Sequence, residues 1–156
     1  MAKIQRKYLA HYIGAGDGTY VRLGRDLEEY TPELSAAVEK TRNILGGTSV
    51  AISGYEKAGE VAPYFAEAED PLFERLQAIL DGDLVLEELK TDVVEVKLWK
   101  GTGNTYPALR EEAYIEINSY GGDAGGYQIP FTIHYTGAKT KGTFNVSTKT
   151  FQPEGA

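Results

Sequence analysis

Two histidines, His11 and His134, and three carboxylates, Glu111, Glu112 and Glu116, are the side chains whose types could carry acid–base chemistry. A histidine beside a hydroxyl would suit acyl transfer, and a pair of carboxylates would suit glycoside hydrolysis. Each histidine, however, falls inside an alternating apolar and polar run, with no candidate nucleophile at its side. Glu112 and Glu116 share one face of a strand, where carboxylates serve as solvated surface groups. Gly14-Ala15-Gly16-Asp17-Gly18 follows a strand as a dinucleotide fingerprint does, but Thr19 stands where the third glycine is needed and no long helix follows. That spacing reads as a flexible hairpin loop. The glycines of residues 121–126 lack the lysine and hydroxyl of a phosphate loop. Asp81-Gly82-Asp83 begins like a calcium loop, yet the later ligand positions do not follow. The sequence therefore assigns no catalytic, cofactor-binding or metal-ligating residue, and the chain does not read as an enzyme.

The elements that would position these residues are mostly strands. In residues 127–136, Tyr127, Ile129, Phe131, Ile133 and Tyr135 fall on one face and Gln128, Pro130, Thr132, His134 and Thr136 on the other. Period two marks a half-buried antiparallel strand. Pro130 sits awkwardly in it, as at an edge or a bulge. Before it, Ala113, Ile115 and Ile117 alternate with polar neighbours; after it, residues 137–142 are expected to turn the chain into Phe144 and Val146. Residues 8–13 and 19–23 form a hairpin, residues 93–99 another strand, and residues 48–53 a short one. Residues 38–45 are extended but polar. Residues 54–69, with Tyr55, Tyr64 and Phe65, read as a long connection of functional or mobile character. One convincing helix is expected over about residues 70–81: Asp70 can cap it, Pro71 suits its first position, and Leu72, Phe73, Leu76, Ile79 and Leu80 form its apolar stripe. Residues 84–90 add another helical turn.

At 156 residues the chain reads as one domain, able to bury a core without staples. It contains no cysteine, so disulfides, a thiol nucleophile and a cysteine-based zinc site are excluded. Residues 1–7 are polar and basic, with no apolar core behind them, and no apolar run is long enough to span a bilayer as a helix, which points to a cytoplasm-like space. The formal charge of −7 argues against holding nucleic acid by its phosphates.

Taken in order, Tyr8-Leu9-Ala10-His11-Tyr12-Ile13, Leu23-Gly24-Arg25-Asp26-Leu27-Glu28-Glu29-Tyr30, Asn43-Ile44-Leu45-Gly46 and Asp70-Pro71-Leu72-Phe73 carry a resemblance. So do Leu98-Trp99, Ser119-Tyr120-Gly121-Gly122-Asp123, Gly126-Tyr127-Gln128-Ile129-Pro130-Phe131, His134-Tyr135-Thr136-Gly137 and Lys141-Gly142-Thr143-Phe144. Over almost its full length the chain resembles the major tail tube proteins of long-tailed bacteriophages and related prophages. The resemblance implies a mainly β fold, an antiparallel β-sandwich with one flanking α-helix, and a structural role in the virion tail. It also implies six-membered rings whose inner strands join into a β-barrel, stacked into a hollow tube that conducts DNA during ejection. Implied partners are further copies of the chain, a tape measure protein, and tail-tip and tail-terminator proteins. Double-stranded DNA would pass through without tight binding, and assembly would take place in the host cytoplasm.

Within that reading, Tyr55, Tyr64 and Phe65 are candidates for contacts between rings, and Glu112 and Glu116 for the channel wall. Two other classes stay open. One is a carbohydrate-binding module stacking sugars on Trp99, Tyr114 and Tyr120. The other is a small β-sheet glycoside hydrolase using Glu112 and a distant carboxylate.

Overall fold

The computed structural model describes residues 2–15, 18–24, 27, 29–101 and 103–154. Gly16, Asp17, Arg25, Asp26 and Glu28, named above, lie outside them. Ten strands are present: β1 (Leu9–Gly14), β2 (Tyr20–Arg22), β3 (Glu33–Arg42), β4 (Thr48–Val61), β5 (Lys90–Lys97), β6 (Thr105–Ile117), β7 (Gly121–Asp123), β8 (Gly126–Gln128), β9 (Phe131–Asn145) and β10 (Thr150–Pro153). One helix, α1 (Pro71–Gly82), and 3-10 turns at Arg6–Tyr8 and Leu86–Leu89 complete the set. The fold is mainly β with one flanking helix, as expected. Hydrogen bonds join its strands into an eight-stranded sheet of order β2-β1-β5-β6-β9-β4-β3, with β10 also on β9, and a separate β7–β8 hairpin. Every pairing among them is antiparallel.

Both faces of the sheet bury side chains, and the register sorts them. On one face Ile13, Val93, Ala113, Ile115, Phe131 and Ile133 pack against Leu72, Leu76 and Ile79 of α1. On the other, Ala10, Tyr12, Val94, Val96, Ala108 and Phe144 form a second core, with Phe151 of β10 against it. Neighbours in β1 and β5 therefore go to opposite cores, which is why both strands read as nearly continuous apolar runs.

The helix lies where its sequence signals place it. The Asp70 carboxylate accepts from Leu72 N at 3.0 Å and Pro71 takes the first helical position; caps of this kind contribute about 1 kcal/mol. The chain leaves α1 through Asp83 in the left-handed region (φ 48°), whose N–H donates to the Ile79 carbonyl.

Three expectations are corrected. Residues 54–61 are not a connection: β4 runs on to Val61, because its last residues pair with β9 while its first pair with β3. Residues 38–45 are not merely extended, since Glu33–Arg42 is a full strand of that hairpin. Residues 137–142 do not turn the chain back. β9 passes straight through them, absorbing the extra length as a bulge between Tyr135 and Lys139, with Gly137 at φ 91°. A glycine there supplies a conformation other residues rarely adopt.

Candidate assembly surface

Strands β3 and β4 form an arm. Only residues 58–61 of β4 pair with β9, so residues 33–57 extend as a two-stranded ribbon from the sheet edge. At about 3.3 Å per residue the arm reaches on the order of 30 Å. Its register puts Leu34, Ala36, Val38, Val50, Ile52 and Tyr55 on one face together with Lys40, Arg42 and Lys57, and Glu33, Ser35, Glu39, Thr41, Ser49 and Glu56 on the other. Both faces are exposed, and Tyr55 is 62% exposed. A ribbon with exposed apolar side chains and a ten-residue open edge is a surface that can pair with another chain.

The turn at the end of the arm is held locally. Asn43 Oδ1 accepts from Leu45 N and Gly47 N, both at 3.0 Å, and Asn43 N donates to the Gly47 carbonyl at 3.0 Å. Gly46 takes φ 86°. This lifts Ile44 and Leu45 clear of the ribbon, 101% and 90% exposed. Both alternating runs and the intervening Gly46-Gly47 were present in the sequence as a hairpin signal. The polar face masked it.

At the root of the arm a polar group crosses the sheet beneath Tyr30. Lys57 Nζ lies 2.6 Å from Glu111 Oε1 and 4.5 Å from the centre of the Tyr135 ring. The hydroxyls of Tyr30 and Tyr135 are 2.6 Å apart, and Tyr30 stands edge-on to His11 at 4.9 Å. His11 Nε2 lies 3.3 Å from Glu95 Oε1, and the Glu95 carboxyl is held below its ordinary value chiefly by that histidine. Burial pushes both phenols up. Nothing in the sequence distinguished Glu111, which is buried, from Glu112, which is not.

The sequence-derived candidates separate. Tyr55 lies on the arm, whereas Tyr64 is buried in the main core with its hydroxyl donating to Asp70. Phe65 is half-buried and forms a bridge to Gln128, next to β8. Glu112 and Glu116 lie on the face of β6 opposite Glu111, Glu112 3.5 Å from Lys90 on β5 and Glu116 2.6 Å from His134 on β9. Their backbone positions are about 13 Å apart at ~3.3 Å per residue. They are drawn to opposite neighbours, whereas paired glycosidase carboxylates stand about 5–9.5 Å apart. His11 and His134 likewise have separate carboxylate partners. Trp99 follows the Lys97 end of β5, while Tyr114 pairs with Lys90 at the other end, about 23 Å away at ~3.3 Å per residue. The structure thus sets Trp99 apart from Tyr114 and Glu112 apart from Glu116. Among the described residues no cluster of three metal-ligating side chains occurs, and no helix is long and apolar enough to cross a membrane.

The chain matches no protein-family model and no curated protein. Among solved structures it is similar to the SPP1 tail tube, with a TM-score of 0.64 and 14% identity over 89% of this chain and 78% of that one. The fold is that of a tail tube subunit. At this identity the likeness rests on architecture: an antiparallel β-sheet with one helix, matched over nearly the whole chain.

Proposed function

We propose that this chain is a structural subunit of a virion tail, six copies closing into a ring and the rings stacking into a hollow tube that conducts DNA. The observation that carries the reading is the arm, a ribbon of about 30 Å whose exposed apolar side chains and outer edge have no partner among the described residues, set on a tail tube fold. An isolated domain would aggregate through such an edge; closed, repeated pairing between copies removes it. The ring of six and the partners (tape measure, tail-tip and tail-terminator proteins) come from the family resemblance. Negative-stain images and light scattering at rising concentration, with and without tail-tip complex, test the reading. Rings or tubes are expected, and strict monomers under every condition would overturn it.

Six copies at −7 each would carry −42 per ring, a balance that suits a wall DNA slides past. Glu112 and Glu116 are the proposed channel-facing carboxylates. Lys90 and His134 stand beside them, so this face is less negative than its acids alone would make it. The assembled tube is expected to bind duplex DNA weakly even at low salt, in a direct binding assay. Replacing residues shown to line the channel by lysine should slow ejection, and the defect should weaken as salt rises.

A further inference from the structure

A cavity of about 550 Å³ lies where the Arg6–Tyr8 turn, β1 and the end of β2 meet. This is within the size range of pockets that enclose a small ligand. Its lining combines three cations, Arg6, Lys7 and Arg22, with three leucines, Leu9, Leu23 and Leu27. The buried His11 and Tyr30 complete it with Gly24. No carboxylate lines it among the described residues. Glu95 lies against the His11 imidazole, 3.3 Å from Nε2, and not at the cavity wall. Glu29 accepts from Thr31 and lines a different cavity with Glu33 and Glu60.

The cations are positioned but not neutralised. Arg6 donates to the carbonyls of Leu9 and, at 2.9 Å, of Tyr30, and Arg22 donates to the Lys7 carbonyl at 2.9 Å. A guanidinium has more N–H donors than these bonds use, so donors are left over at fixed places. Arg6, Lys7 and Arg22 form no ion pair among the described residues. Three further cavities are less positive. Between β5 and β6, Arg75, Lys90 and Arg110 share the lining with Asp92 and Glu112, and Lys90 pairs with Glu112. Beside α1, Arg22 and Lys149 share it with Glu67, Glu69 and Asp70. The cavity at Glu29, Glu33 and Glu60 is acidic.

We propose that the Arg6, Lys7 and Arg22 cavity binds a small phosphate monoester, its charged oxygens meeting the three cations and its apolar body lying against the leucines. Guanidinium groups match phosphate oxygens in a bidentate fork, and three converging cations suit a dianion better than a single charge. The leucines favour an ester over bare phosphate, because burying an apolar body adds to the binding. The site belongs to the single subunit and does not depend on assembly.

Equilibrium dialysis of the full-length chain against phenyl phosphate tests it, at about 0.15 M salt so that diffuse attraction is screened. One phenyl phosphate per chain is expected, held at least about tenfold more tightly than inorganic phosphate or benzoate. No binding, or equal affinity for either comparison anion, overturns the proposal. Arg22 also lines the hollow beside α1, so the location is read from residues that line one cavity only. Lys7→Glu should weaken binding about tenfold, whereas Lys149→Glu should change it less than about twofold. Both lysines are exposed, so neither substitution should move the melting temperature. Unchanged binding by Lys7→Glu, or an equal loss in both variants, overturns the assignment to this cavity.

Discussion

Lys57 Nζ sits 2.6 Å from a carboxylate oxygen of Glu111, and Glu111 is 2% exposed. This pair joins the root of the arm to the middle of the sheet: Lys57 pairs across to Leu34 on β3, while Glu111 lies on β6 between β5 and β9. The second Glu111 oxygen is buried without a hydrogen-bond partner among the described residues, so the lysine is what compensates the carboxylate. Removing one partner leaves an uncompensated buried charge, whereas removing both does not.

Lys57→Met is therefore expected to destabilise the subunit by about 3–5 kcal/mol. Lys57→Met with Glu111→Leu should come back to within about 1 kcal/mol of the parent. Denaturant melts of the four chains measure the cycle. A double variant as unstable as the single one would show that the pair does not act as a unit.

Gly59 is required by the ring above it. A Cβ there would lie 2.5 Å from the Tyr30 hydroxyl and 2.6 Å from its ring. Gly59→Ala should cost about 1–3 kcal/mol, the usual range for overpacking. The same substitution in a Tyr30→Ala background should cost far less, because contacting residues are not additive. Equal costs in the two backgrounds would point to backbone conformation as the cause.

Leu76 is fully buried beneath α1 among Leu72, Ile79 and the sheet. Leu76→Ala is expected to lower stability by about 2–5 kcal/mol. A change below about half a kcal/mol in denaturant melts would mean the apolar stripe contributes no core.

The acid limb of stability should depend on His11. The His11 imidazole, its Nε2 3.3 Å from a Glu95 oxygen, opposed by burial and helped by the charges of Lys57 and Lys97, holds the Glu95 carboxyl below its ordinary 4.5. A carboxylate depressed in the folded state contributes stability above its unfolded value and loses it as pH falls through the folded value. His11→Phe should flatten the dependence of stability on pH below 4.5. An unchanged acid slope would remove Glu95 from the account.

Local chemistry was enough to place the helix and several strands. Asp70, Pro71 and the stripe through Leu72, Leu76 and Ile79 specify α1 because capping and helical periodicity act within a few residues. The alternation of Ala113, Ile115 and Ile117, and of Phe131 and Ile133, likewise marked buried strand faces. Composition also limited the chemistry, since a chain without cysteine has no thiol to offer.

The tertiary structure decided what pairs with what. Gly137 looked like a turn, yet β9 continues through it because β6 supplies a partner on both sides of the bulge. Residues 54–61 looked like a connection because the glycines and charges in them obscure the alternation, and their strand character comes from pairing with β3 and then β9. The arm was hidden for the same reason: with both faces in water, burial imposes no single pattern on it. Glu111 and Glu112 are adjacent and chemically identical, and only the register of β6 sends one under Lys57 into the interior and the other towards Lys90 at the surface. Non-local pairing fixes that choice, and a sequence read along its length contains no record of which strand lies alongside.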